Sequence, residues 1–410
     1  MTGESGARRV VITGHGVVSS IGANVESFWS SMRRGACGIG PIKNFPLQDL
    51  YITIASEVRD FDARERGLSK PLMLADRYSQ FAGAAAIEAM TQAGFNGPVP
   101  NGARAASIIG SGIGGLATLE KGYEDLFIHK KKATHPLTLL RTIGSSAAAH
   151  VSIEYGIKGP CFGTVSACST AAHAIGLAYQ MIRHGMIDLG VAGASEAGIT
   201  YGALRSWQAM RVLSPEGLFP FAKRRNGTVL AEGAGILVLE DWEHAKARGA
   251  KPIAELKGFG MTSDAADMVN PDIEGPTVAM QLAIADAGLS PGDIDYVNAH
   301  GTATTINDVN ETNAIRRVFG KDAEKISVSS TKSMHGHCLG AGGGVEAVAC
   351  IKAIQENFVP ATIGFDAPGE GCDLDYTPNE GRAREITYAM SNSFAFGGLN
   401  AVLVFGPPPA

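Results

Sequence analysis

Apolar and small residues along the chain fall into short runs that close on glycine, separated by longer stretches with helical spacing. Arg8-Arg9-Val10-Val11-Ile12-Thr13-Gly14 reads as a strand running into a glycine turn. Ala105 to Gly110 is a second, ending in Gly110-Ser111-Gly112-Ile113-Gly114-Gly115, and Leu189 to Gly193 is another. Asp76 to Ala93 is predicted as a helix by its alanine content and spacing, stopped by Gly94. Ser169 to Arg183 is predicted as a second helix, with Ala174, Leu177, Ala178, Met181 and Ile182 at three- and four-residue intervals, entered from a strand-like Phe162 to Val165. Leu116 to Lys158 is expected to be mainly helical. Ser31 to Pro71 is expected to be irregular and carries Arg33, Arg34, Arg64, Arg66 and Lys70.

The second half of the chain repeats this pattern. Ile253 to Gly260 echoes Val10 to Gly16, and Ala279 to Gly288 echoes Ala85 to Phe95. Ile294 to Gly301 takes the place of Ser107 to Gly112, and a helix over Gly344 to Gln355 parallels the one after Cys168. A duplication of this size implies two similar βαβ-rich halves, residues 1–245 and 246–410, with an active site where they meet.

Composition narrows the class. Hydrophobic residues make up 45% and charged residues 18%, with mean hydropathy near zero, as in a core-rich α/β enzyme. The 52 glycines exceed the usual share of about 7% without forming low-complexity tracts, so tight turns and close backbone approaches are expected. A net charge of −5 argues against nucleic acid as the main partner. No apolar run approaches the ~20 residues of a membrane span, and Met1 to Ser5 does not open a signal peptide, so a cytoplasmic location is expected. Six cysteines without a CxxC pair read as reduced thiols and not as a metal site. The run Gly110 to Gly115 lacks GxGxxG spacing, which removes the dinucleotide-binding reading.

Three stretches carry candidate chemistry. Cys168 lies among small residues at a strand-to-helix junction, where unpaired N–H groups and the helix dipole favour a thiolate. Small neighbours there leave room for a carbonyl and for backbone donors to an oxyanion. Asn298-Ala299-His300-Gly301-Thr302 places a histidine at a strand end, and Ser330-Thr331-Lys332-Ser333-Met334-His335-Gly336-His337-Cys338 places a lysine and two histidines before a helix. An isolated Ala-Cys-Ser is more often core than nucleophile. One cysteine and two separated histidines at corresponding junctions of a duplicated chain are not easily accidental.

Four motifs in this order resemble the signatures of elongating β-ketoacyl-[acyl-carrier-protein] synthases of type II: Val165-Ser166-Ala167-Cys168-Ser169, Asn298 to Thr302, Ser330 to His337, and Asn392-Ser393-Phe394-Ala395-Phe396-Gly397-Gly398. The resemblance runs from about Arg8 to Phe405. It implies a thiolase-like α/β fold of five layers (αβαβα), built from two duplicated βαβαβαββ halves and usually homodimeric, with no cofactor or metal. It implies that Cys168 takes the acyl group as a thioester and that His300 and His337 stabilise the enolate formed when a malonyl thioester loses CO2. Cys168 and Phe396 would supply oxyanion N–H groups, with Phe396 also a gate. Lys332 and Glu346 would orient the histidines. The acyl pocket is expected near Ile113, Phe162 and Trp207. Acyl- and malonyl-loaded acyl carrier protein, which is acidic, would dock on Lys70, Arg211 and the Lys130-Lys131-Lys132 triplet.

The departures from that pattern are specific. Pro220-Phe221-Ala222 stands where relatives have Pro-Phe-Asp, Thr228 where an aromatic is common, and His335 where threonine is usual. The His335-x-His337-Cys338 pattern resembles ketosynthases of specialised lipid pathways, including the nodulation-factor type. Two other readings compete with an elongating enzyme. A thiolase would need a second cysteine as base, and the Lys332-x4-His337 spacing fits the decarboxylating pair better than Cys338 does. A chain-length-factor-like subunit of a heterodimer would lack the active cysteine, which is present.

Overall fold

The computed structural model describes residues 7–409, so the segment Met1 to Ser5 lies outside the described residues. Ten strands form the central sheet: β1 (Val10–Ser19), β2 (Ala105–Gly110), β3 (Cys161–Phe162), β4 (Leu189–Glu196), β5 (Gly233–Asp241), β6 (Ala254–Ser263), β7 (Tyr296–Asn298), β8 (Ser327–Ser329), β9 (Ala389–Ala395) and β10 (Leu399–Gly406). Their spatial order is β8-β7-β9-β10-β6-β1-β5-β4-β2-β3. The first five strands lie in the order third, second, fourth, fifth, first, and so do the last five. Strand directions match as well. The second and third, and the second and fourth, run parallel; the fourth and fifth, and the fifth and first, run antiparallel. The two five-stranded sheets meet along a seam of only three residue pairs, Val10–Leu256, Val11–Glu255 and Ile12–Ala254.

Helices fill three layers around these sheets. Helix α1 (Arg77–Gln92), capped by the Asp76 carboxylate on the Tyr78 N–H, covers the outer face of the first sheet. Helix α2 (Thr170–Arg183) follows β3, α3 (Glu274–Asp286) covers the outer face of the second sheet, and α4 (Gly342–Glu356) lies beside α2. Both α2 and α4 touch strands of both sheets, so they form the middle layer. Their interface is the largest apolar core, with Ile175, Ala178, Val345 and Val348 packed between Leu237 and Leu239 on one side and Leu403 and Phe405 on the other. The layers are therefore αβαβα. Close approach sets this middle layer: a Cβ on Gly235 of β5 would meet the Gly344 backbone at 2.1 Å, so α4 can lie against the strand only because both residues are glycine.

Local readings differ from the sequence expectation in several places. Strand β3 ends at Phe162, and Gly163 to Val165 are irregular. Helix Val25–Arg33 precedes the irregular region, which itself holds a two-residue strand pairing of Gly40–Pro41 with Ile54–Ala55. Leu116 to Lys158 is broken into Leu116–Tyr123, a wider turn at Glu124–Ile128, Thr138–Thr142 and Ser146–Glu154. Lys130 takes a left-handed φ of 52° and Pro136 follows, so no continuous helix can form there. This excursion leaves Phe127, Ile128, Leu139, Leu140 and Ile153 exposed, and its last helix, Ser146–Glu154, packs against the edge strand β3.

Candidate active site

The start of α2 carries Cys168 in a single tight turn, Ala167–Ser169, closed by the Ser166 carbonyl on Ser169 N–H. Ala167 sits at φ 47°, a costly conformation for a residue with a Cβ, and it aims Cys168 away from the helix axis. The start of α4 repeats this geometry. Leu339–Ala341 forms the same tight turn, and Leu339 sits at φ 45°. His337 lies just before that turn, between the short helix Lys332–His335 and α4, with its N–H on the Val229 carbonyl.

The two halves bring these ends together. His337 Nε2 is 3.1 Å from Cys168 Sγ. His300, two residues past β7, stands edge-on to His337 with ring centroids 5.5 Å apart. All three line one cavity of about 200 Å³ with Trp207, Phe396 and, at its rim, the exposed Arg211. Phe396 occupies the three-residue turn joining β9 to β10, and its ring lies 6.1 Å from Trp207. Gly397 and Gly398 in that turn have φ of 80° and 69°, which side chains with a Cβ rarely adopt.

Burial sets the protonation states. It pushes the Cys168 thiol up to about 12, against the opposing pull of the Lys332 charge. Burial thus works against the expected helix-start thiolate, and His337 Nε2, 3.1 Å away, is placed to take the thiol proton. Burial first, then the nearby Lys332, holds His300 and His337 well below the ordinary imidazole range. Both rings are therefore neutral donors. Nδ1 of each is buried without a partner, so neither ring is locked into one tautomer and each can present N–H at Nε2. Because both values are lowered, protonation begins only well below the usual imidazole range. In histidine-labelled protein the His300 and His337 rings should stay neutral between pH 6 and 8 by 15N chemical shift; a shift change in that interval would show that a ring titrates there, whereas the decarboxylation rate would also respond to Glu346, which lies at about 7.

Lys332 and Glu346 form a fully buried ion pair, each side chain 1% exposed. Burial pushes Glu346 up to about 7 while the Lys332 ammonium opposes it. Neither side chain hydrogen-bonds a histidine ring, so their effect on the rings is electrostatic, not the orienting contact expected from the sequence. Two residues expected at the acyl pocket lie apart from this cavity in the single chain. Phe162 packs against the central core, and Ile113 is 39% exposed and outside the Cys168 cavity. The Glu196 carboxylate gathers Ser111 Oγ (2.9 Å), Gly112 N (2.8 Å) and Gly340 N (3.2 Å), and this bends the loop so that Ile113 turns out. Lys70 lies elsewhere on the surface, on a groove with Arg64, Phe61 and Leu74. Lys131 is paired with Asp125, which reduces the free charge of the lysine triplet.

Three carboxylates escaped the sequence reading. Glu311 accepts the N–H groups of His300 and Gly301, both at 2.8 Å, and an Asn392 amide proton at 3.1 Å. Asp308, one turn earlier on helix Thr305–Phe319, accepts from Phe221 N and Ala303 N. Glu196 ties the loop after β2 to the turn before α4. Two acids three residues apart, opening a helix directly after His300-Gly-Thr, were the available signal for the first two.

Residues 7–245 match the family model described as Beta-ketoacyl synthase, N-terminal domain, and residues 253–366 match Beta-ketoacyl synthase, C-terminal domain. The chain is similar to Nodulation protein E of Rhizobium leguminosarum bv. trifolii, 47% identical over 97% of this chain and 99% of that protein. It is also similar to 3-oxoacyl-[acyl-carrier-protein] synthase 2 of Coxiella burnetii, 44% identical over 97% of this chain and 98% of that one. Among solved structures, the ishigamide ketosynthase/chain length factor aligns with a TM-score of 0.92 at 33% identity, covering 98% of this chain and all of that chain.

Proposed function

Since this chain belongs to the β-ketoacyl synthase family, we propose that it joins an acyl group held on Cys168 to the two-carbon unit released from malonyl-acyl carrier protein. The single observation that carries this reading is the Cys168–His337 contact of 3.1 Å in a cavity shared with His300. In the first half-reaction the Cys168 thiol gives its proton to His337 as sulfur attacks the acyl thioester, and that proton passes to the departing carrier thiolate. In the second, the malonyl thioester loses CO2 and its thioester oxygen takes the negative charge. N–H groups of the two neutral rings stabilise that oxygen. The enolate carbon then attacks the Cys168 thioester, whose oxygen rests on the N–H groups of Cys168 and Phe396. Collapse releases 3-oxoacyl-carrier protein and leaves the Cys168 thiolate, which takes one proton from solvent.

Incubation with acyl- and malonyl-carrier proteins tests this directly. The product should be a 3-oxoacyl-carrier protein two carbons longer than the acyl donor, with one CO2 released per product. Acylation of Cys168 without that product would overturn the reading.

The division of labour between residues 1–245 and 246–410 is part of the same proposal, supported by the break between the two matched family regions. The cytoplasm is the proposed compartment, supported by six cysteines that are all free. Among the described residues no helix is long and apolar enough to cross a membrane. The open edge of β3, with the exposed Ile153 on the helix packed against it, and the exposed Leu139 and Leu140 suit a second chain, in keeping with a homodimer. The likeness to a ketosynthase/chain length factor supports a heterodimer as the second reading, and 47% identity to a nodulation protein supports a specialised lipid pathway.

Lys70 and Arg211 are both exposed, Arg211 at the cavity mouth, and we assign them to carrier docking. Charge reversal at both should raise KM for carrier-bound substrate ~10-fold while sparing acylation by small thioesters, since rim charges act mainly on association. Unchanged carrier kinetics would remove both from the docking face.

A further inference from the structure

Behind the cavity, a buried imidazole that takes no part in the steps above joins the two histidine-bearing segments. His335 is fully buried. Its Nε2 lies 3.2 Å from Thr331 Oγ1, which lies 3.2 Å from Asn298 Nδ2, two residues before His300. Its Nδ1 lies 3.9 Å from the sulfur of Cys338, the residue after His337, and that sulfur is 3.5 Å from the Glu232 carbonyl.

Proton counting gives this chain a direction. Thr331 Oγ1 lies 3.2 Å from Asn298 Nδ2 and 3.5 Å from Asn298 Oδ1; with the amide donating across the shorter contact, the hydroxyl proton has His335 Nε2, at 3.2 Å, as its nearer acceptor. A neutral imidazole whose Nε2 accepts must carry its proton on Nδ1, which then points at Cys338 Sγ. The Cys338 S–H in turn points at the Glu232 carbonyl. Protonating the ring would reverse the Thr331 link, turning the hydroxyl from donor to acceptor. Burial, reinforced by neighbouring Lys332, holds His335 at about 3, so the neutral ring is the resident form.

We propose that His335 is a positioning residue, which fixes the separation of the His300 and His337 rings by tying Asn298 to Cys338 through this one-way hydrogen-bond chain. This rests on the condensing reading for its consequence in rate, but the chain itself can be tested without it. In wild-type protein labelled with 15N-histidine, His335 should show an unprotonated Nε2 and a protonated Nδ1 from pH 5 to 8. Thr331→Val should alter that signature. A protonated Nε2 would overturn the proposal whatever reaction the protein catalyses.

Kinetics give the second arm. His335→Leu should slow malonyl decarboxylation ~10-fold or more, the scale at which small misplacements act. Thr331→Val should lower decarboxylation while sparing acylation of Cys168, because it releases only the His300 side. Cys338→Ala should lower both, because it releases the His337 side next to Cys168. In a His335→Leu background neither second substitution should add a further loss. Additive losses that follow the melting temperature would mean that His335 only fills space. Failure of wild-type protein to decarboxylate malonyl thioesters would strike the functional reading and leave the 15N result standing.

Discussion

Cys168→Ala is expected to abolish condensation and the acyl adduct together, with no measurable turnover above background. The sulfur is the one nucleophile in the cavity within reach of His337, and its neighbours offer no substitute: Cys338, the cysteine nearest in sequence to His337, faces His335 and the Glu232 carbonyl. The fold should tolerate the change, because alanine fits the turn at Ala167–Ser169 and removes only one sulfur. Cys168→Gln separates chemistry from loading. Its amide can take the place of the thioester carbonyl while His300 and His337 remain, so malonyl decarboxylation should persist or rise as condensation disappears. Intact-protein mass spectrometry after exposure to acyl-carrier protein checks both variants. An adduct still forming on Cys168→Ala protein would mean that another residue is the nucleophile.

The two histidines should part company in their half-reactions. Removing one oxyanion donor costs about 10²–10³-fold elsewhere, so His300→Ala and His337→Ala should each cut decarboxylation by roughly that factor. Acylation should distinguish them. His337 Nε2 touches Cys168 Sγ, whereas His300 reaches the nucleophile only across the cavity, 5.5 Å from the His337 ring. His337→Ala should therefore slow acylation as well, and His300→Ala should leave it nearly intact. Stopped-assay measurement of both half-reactions decides the matter. Equal losses in both half-reactions for His300→Ala would show that the ring serves the fold or the loading step and not the enolate.

What could be read from the chain follows from where the information is local. Ala105 to Gly110 was legible to the residue because an apolar run closed on glycine, and the Arg77–Gln92 helix because its alanines keep helical spacing and Gly94 ends it. The duplication gave the topology, since two runs with the same order of elements must build the same sheet. Leu116 to Lys158 misled for a physical reason. Its leucines and isoleucines are spaced as if turned inward, but Leu139, Leu140 and Ile153 face outward at a sheet edge. Glu311 was missed for another, its spacing from Asp308 being the one signal it offered. A carboxylate that accepts N–H groups from a separate turn looks, in sequence, like any acid on a helix surface. The place of Ile113 beside the Cys168 cavity is set by Glu196, which holds Ser111 and Gly112 from more than eighty residues away and which no local pattern announces.

The three-pair seam between the sheets has a further consequence, for motion. So short a ladder cannot by itself hold the halves in register, and the task falls to α2 and α4, which contact both sheets and each other. These are the helices whose first turns present Cys168 and adjoin His337. Amide protons along them should exchange with solvent only when the whole chain unfolds, while those of the 124–143 excursion exchange through local opening. The separation between nucleophile and proton acceptor is then guarded by the global unfolding free energy, and no partial opening of the molecule can relax it.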